Sequence, residues 1–155
     1  AHILPDNRIV ISKGYGEGLA LIDVRSTDGG WQTEKRWWEK GLLKTKFSQI
    51  CVIDNFAYGL SDGILECVDL QEHRRVWKNG RYGHGQILGV GRHLLVLSER
   101  GDLALVEATP AAYRELARLP RVLEGQTWNN FALYGNRLLI RNAQEAACYE
   151  LPTAP

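Results

Sequence analysis

One pattern in the chain recurs four times, and it decides what the chain can fold into. An apolar run closed by an acidic residue appears as Leu19-Ala20-Leu21-Ile22-Asp23, Leu65-Glu66-Cys67-Val68-Asp69, Leu103-Ala104-Leu105-Val106-Glu107 and, in degraded form, Ala146-Ala147-Cys148-Tyr149-Glu150. The closing acids lie 46, 38 and 43 residues apart. A second marker keeps step with the first: a polar turn before an apolar pair, at Asp6-Asn7, Asp54-Asn55, Gly91-Arg92 and Gly135-Asn136. A period near 40 residues with several short strands per unit is the signature of a β-propeller blade, because a small sheet with two apolar faces is stable only when stacked on its neighbours.

Turns and alternation divide the third unit into an innermost strand Gln86 to Val90, a second at His93 to Ser98, a third at Leu103 to Ala108 and an outermost at Tyr113 to Leu119. The second unit repeats this as Gln49 to Ile53, Phe56 to Leu60, Ile64 to Asp69 and Arg74 to Lys78. The one helix-like stretch is Pro110 to Leu119, behind a Thr109-Pro110 cap, and the repeat register assigns it to strand instead. The expected fold is therefore all-β, a single partial propeller over residues 1–155 of four-stranded antiparallel blades, with units about 1–45, 46–85, 86–129 and 130–155. The first unit has only Ala1 to Leu4 as its innermost strand and the last reaches Pro155 without an outermost one, so about three and a half blades are present.

An incomplete ring leaves terminal apolar faces in need of cover. Two arcs closing one ring as a homodimer would supply it, and so would the remainder of a larger chain. The start at Ala1, close before a strand-like run, suggests a processed or excised piece.

Composition excludes some function classes. The formal net charge is +1, and the longest basic clusters are pairs such as Arg74 with Arg75, so nucleic acid is not an expected partner. No stretch approaches the ~20 apolar residues of a spanning helix, and no membrane insertion is expected. Cys51, Cys67 and Cys148 are odd in number and lack CxxC spacing, which reads as buried structural thiols.

The run Gly63-Ile64-Leu65-Glu66-Cys67-Val68-Asp69, followed eight residues after the aspartate by Trp77, resembles the repeat of the pyrroloquinoline-quinone-like (quinoprotein dehydrogenase-like) β-propellers. WD-type and kelch-type blades share the period. The resemblance implies that an Asp and a Trp tie each blade to the next, which assigns packing roles to Asp69 with Trp77 and to Asp23 with Trp38, the latter across a seven-residue insertion containing Gly29 and Gly30. Trp38 comes from aligning KRWWEKG with RRVWKNG; Trp37, on the opposite side of the strand, is then expected at the surface or in an interface. The third unit has no tryptophan there. The resemblance also implies a periplasmic or cell-envelope setting. Its calcium-bound quinone site would need adjacent cysteines, absent here, so neither that group nor any other cofactor is expected.

Candidate functional residues lie on the loops that lead into the innermost strands. Repeat register makes Phe47, His84 and Trp128 equivalent, within LKTKFSQ, RYGHGQ and GQTWNN. Lys44, Lys46, Tyr82, His84, Thr127, Trp128 and Asn129 are the ligand-binding candidates on this rim, for a protein or a small molecule. His2, His73, His84 and His93 show no ligand-pair spacing, so no metal site is expected. No nucleophile elbow, P-loop or zinc-helix motif occurs, and no catalytic residue is assigned. Two function classes stay open. One is a non-catalytic binding or assembly module; the other is a fragment of an oxidoreductase or hydrolase with chemistry around His84 and Lys46 or Lys44.

Overall fold

A computed structural model describes residues 1–152, so the last three residues of the fourth unit lie outside it. Fifteen strands form four antiparallel sheets in strict sequence order. The first blade holds β1 (His2–Leu4), β2 (Arg8–Lys13), β3 (Gly18–Thr27) and β4 (Gly30–Glu39). The second holds β5 (Ile50–Ile53), β6 (Phe56–Ser61), β7 (Ile64–Asp69) and β8 (Arg74–Arg81). The third holds β9 (Gln86–Val90), β10 (His93–Leu97), β11 (Leu103–Glu107) and β12 (Glu115–Leu119), and the fourth β13 (Ala132–Tyr134), β14 (Arg137–Arg141) and β15 (Ala146–Glu150). No helix occurs among the described residues.

The repeated polar turns have a backbone cause. Asp6, Asn7, Asp54, Gly91 and Gly135 all adopt left-handed φ between 54° and 60°, a region Gly, Asn and Asp enter at low cost. β1 is short, yet it pairs His2 with Val10 and Leu4 with Arg8, and so serves as the innermost strand of its blade.

Burial follows from the stacking. In β6 both faces are covered: Tyr58 and Leu60 pack with Leu65, Cys67, Ile87, Val96 and Ala104 between the second and third blades. Ala57 packs with Val68, Val10, Leu19 and Leu21 between the first and second. Leu95, Leu97 and Leu103 meet Leu138, Ile140 and Leu123 between the third and fourth. On the fourth blade the alternation is visible in one strand, since Leu138 and Ile140 are buried while Leu139 between them is 51% exposed.

At one register position the three complete blades coincide. Leu21 pairs with Trp37, Cys67 with Trp77 and Leu105 with Ala117, and in each blade a β-bulge follows at once. The bulge corrects the expected packing residue of the first blade. Trp37, not Trp38, is the counterpart of Trp77, because the extra residue turns Trp37 inward against Leu42, Leu43 and Leu70. Trp37 is 9% exposed, whereas Trp38 is 40% exposed, donates its indole N–H to the Glu17 carbonyl and lies under Lys35 at 4.4 Å. Each inward indole meets a ring from the following blade: His73 lies 4.6 Å from Trp37, and Tyr113 lies 5.8 Å from Trp77. Trp77 also donates its indole N–H to the Thr109 carbonyl at 2.9 Å.

Asp23 and Asp69 bond within their own blades. Asp23 accepts from Arg36 at 2.6 Å, and Asp69 accepts the Gln71 and Glu72 N–H groups at 2.8 and 3.0 Å. The insertion of the first blade extends β3 and β4 into an exposed ribbon, with Thr27 opposite Gly30 at its tip. β12 begins at Glu115 rather than Tyr113, since Tyr113 leaves the ladder to reach Trp77 and to place its hydroxyl 2.8 Å from that of Tyr82. Of the three thiols only Cys67 is fully buried; Cys51 is half-buried and Cys148 lies exposed on the outer face of the fourth blade. Burial pushes the Cys51 thiol up to about 11 and that of Cys67 to about 12, which keeps both protonated and unreactive at neutral pH.

Truncation of Trp37 to alanine should cost about 3–5 kcal/mol in chemical denaturation, the range for emptying a core aromatic site, and Trp38→Ala about 1 kcal/mol or less. Equal losses would contradict the assignment of the inward indole.

Candidate functional site

The connectors into β5, β9 and β13 converge on one rim. Phe47 and Trp128 stack at 5.3 Å between ring centres with a 32° tilt, and His84 meets Phe47 edge-on at 6.2 Å. Three residues separated by 37 and 44 positions in sequence thus form one cluster, with Phe47 52% and Trp128 41% exposed.

Two residues beneath the cluster hold it. Gln86, 3% exposed, donates from Nε2 to the carbonyls of Phe47 and Trp128, both at 2.9 Å, and accepts the Gln49 N–H at 3.2 Å. Gln49 is thereby drawn out of the strand expected to begin there. Glu99 accepts the His84 N–H at 3.1 Å and the Trp128 indole N–H at 2.8 Å. Burial opposes the charge on Glu99, but these hydrogen bonds and the nearby His84 outweigh it and hold the carboxyl below its ordinary range. Gly83 and Gly85 let the chain pass this close. A Cβ on Gly83, at φ 66°, would strike the Glu99 carboxylate, and one on Gly85 would strike the Leu97 carbonyl. Ser48 adds a 2.6 Å hydrogen bond from its hydroxyl to the Gly85 carbonyl.

The other candidates separate. Lys44 is held by Asp62 at 2.6 Å, and Lys46 lies over the Tyr15 ring at 5.7 Å. Tyr82 is 2% exposed and packs in the core between the second and third blades, while also lining the cleft beside the rim; its hydroxyl donates to Glu115 at 2.5 Å. Glu115 in turn is held at about 2 by Arg118 first, and by the two tyrosine hydroxyls, against the opposing effect of burial. Thr127 is likewise buried, donating its N–H to the Glu99 carbonyl at 2.9 Å and its hydroxyl to the Gly125 carbonyl at 3.4 Å. Asn129 is half-buried beside Trp128. Beside the rim, between the second and third blades, lies a polar cleft of about 440 Å³ lined by residues including Arg81, His84, Glu99, Arg100 and Arg118.

Sequence reasoning missed Gln86 and Glu99. Both carried a signal: Gln49, Gln86 and Asn130 all stand two residues after the equivalent rings, and Asp62 and Glu99 both follow a serine in the hairpin turn between second and third strands.

Gln86→Ala should lower stability by about 1–3 kcal/mol, the cost of leaving part-buried polar partners unsatisfied, and should raise the mobility of Phe47 and Trp128 in side-chain NMR. Unchanged stability and ring order would show that Gln86 is not the tie between the connectors.

No family model matches the chain, and no curated protein matches it. Solved structures do resemble it. A chain in the structure of an S. cerevisiae Dbp5 variant bound to Nup159, a Gle1 variant, IP6 and ADP superposes with a TM-score of 0.55 at 14% identity, over 96% of this chain and 42% of that one. The crystal structure of the N-terminal domain of Nup159, a β-propeller, gives a TM-score of 0.56 at 16% identity, over 95% of this chain and 42% of that one. The chain thus spans less than half the length of either. At such identities the likeness establishes architecture, and the architecture is that of a partial β-propeller.

Proposed function

We propose that the chain is a propeller binding module that grips a protein partner at the channel rim, without catalysis of its own. One observation carries this reading. Phe47, His84 and Trp128 come from three successive connectors, share one half-exposed cluster, and have their backbones pinned by Gln86 and Glu99. Aromatic side chains held in place before binding lose little conformational freedom on contact, which is the usual make-up of an interface hot spot. A protein partner is further supported by the solved complex in which Nup159 is bound with Dbp5.

The resemblance carried by Asp69 and Trp77 extends the proposal to a quinoprotein-like scaffold working in the periplasm or cell envelope, with no cofactor. Its terminal blades, at Ile3 (80% exposed) on one side and Leu139 and Tyr134 (51% and 84%) on the other, are faces on which further blades stack. A second copy closing the ring, or more of the same chain, supplies those blades.

With the partner isolated on the intact chain and then purified, Phe47→Ala and Trp128→Ala should each weaken binding at least tenfold in calorimetric titration, consistent with a hot-spot loss of about 2 kcal/mol, while melting stays near wild type. Wild-type affinity in both variants would remove the rim from the interface.

A further inference from the structure

The junction between the first and second blades shares its frame with the next junction along the chain but encloses different chemistry. Both blades that form it have all four strands. Between them lies a cavity of about 610 Å³, lined by Leu21, Leu70 and Trp37 together with Arg8, Arg36 and His73. A volume of that size is within the range of small-molecule sites. Register shows what the second junction puts at the same places. Arg8 pairs with Asp23 as Phe56 pairs with Asp69, and Arg36 is the extra residue of its bulge as Val76 is of its own. Phe56 and Val76 pack against the apolar cluster between the second and third blades. Where one junction has two apolar fillers, the other has two guanidinium groups.

The two indoles differ as well. Trp77 donates its N–H to the Thr109 carbonyl at 2.9 Å. The N–H of Trp37 is shut away from water and has no acceptor among the described residues, although Gln71, the register counterpart of Thr109, lines the same cavity. A buried donor without an acceptor is rare in a folded protein and marks a place where an acceptor is wanted. The arginines add further donors. Asp23 takes the Nε–H of Arg36 at 2.6 Å, while Arg8 gives its Nε–H to the Pro5 carbonyl at 3.3 Å and has Asp6 3.5 Å from one Nη. Both Nη groups of Arg36 and the other Nη of Arg8 have no hydrogen-bond partner among the described residues. No Asp or Glu lines the cavity.

We propose that this cavity is a binding site for a small organic anion, whose carboxylate or phosphate oxygens accept from the guanidinium groups of Arg8 and Arg36 and from the indole N–H of Trp37. A guanidinium edge matches an oxyanion in both shape and charge, and Leu21 and Leu70 receive the apolar body of the molecule. His73 is exposed and its ring lies 4.6 Å from that of Trp37. A rotamer change of this one exposed side chain uncovers the indole as the anion enters. The site does not use Phe47, His84 or Trp128, so it stands independently of the rim reading.

The test follows the indole N–H signals of the intact chain in two-dimensional proton–nitrogen NMR spectra, with the Trp37 signal assigned through Trp37→Phe. Inorganic phosphate or benzoate should move that signal saturably, while the Trp77 signal, already bonded to Thr109, stays in place. Arg8→Gln and Arg36→Gln should each raise the dissociation constant about tenfold, the loss of a charge-assisted hydrogen bond. Arg36 also neutralises Asp23; Arg8 touches only exposed groups of its own turn, so Arg8→Gln keeps the test decisive if Arg36→Gln fails to fold. Phe47→Ala should leave the response unchanged, which separates this site from the rim. A response to phosphate alone assigns the site to phosphate-bearing molecules, and a response to benzoate alone assigns it to carboxylates with an apolar body; either supports the proposal. A Trp37 signal that moves with neither anion would overturn it. So would movement matched by sodium chloride at the same ionic strength, or wild-type affinity in Arg8→Gln, since the cavity would then hold an adventitious ion only.

Discussion

A four-stranded sheet with apolar residues on both faces has no stable existence alone, and the way each face is closed governs this structure. The closure is made by alternating residues of the inner three strands and, in the first two blades, finished at the outer strand by one indole. A bulge at the same register in each complete blade sets the direction of that residue. The indole reaches past its own sheet to a ring of the next, at 4.6 Å for Trp37 with His73 and 5.8 Å for Trp77 with Tyr113. Tyr113 then ties inward to Tyr82 and Glu115, so the junction is continuous from an apolar contact to an ion-paired network with Arg118. Blade follows blade because the outer strand of one is incomplete without the approach of the next.

The same stacking places the functional candidates. Connectors of different length, from Lys40 to Gln49, Tyr82 to Gly85 and Pro120 to Phe131, must all deliver the chain to an innermost strand at the same end of the arc. Phe47, His84 and Trp128 are neighbours for that reason, and buried amide and carboxylate side chains fix them where loops alone would leave them loose. Gln86 can serve three backbone groups because its blade lies between the other two. The position of Glu99 at the hairpin tip has the same origin.

Much of this was legible in the sequence. Two markers in step revealed the period, and turns of Asp, Asn and Gly marked where left-handed φ is needed. The equivalence of Phe47, His84 and Trp128 followed from counting alone. Other features were hidden because they depend on a single inserted residue or on partners distant in the chain. Aligning KRWWEKG with RRVWKNG by its tryptophans chose Trp38, since a bulge shifts alternation by one without leaving a mark in composition. Tyr82 lines the cleft beside His84, but that its hydroxyl is turned inside depends on Glu115 and Tyr113, more than thirty residues away. The exposure of Cys148 depends on which face of the fourth blade meets the third, and alternation by itself does not say.

The most direct test of the account is a double-mutant cycle across one blade junction, with Trp77→Leu, Tyr113→Leu and the pair compared by chemical denaturation. If the indole and its neighbour's ring form the lock, their coupling should be about 0.5–1.5 kcal/mol, beyond the loss of each side chain's own burial. Losses that add to within about 0.3 kcal/mol would mean that each ring merely fills its own blade, and the account of how the blades are joined would fail.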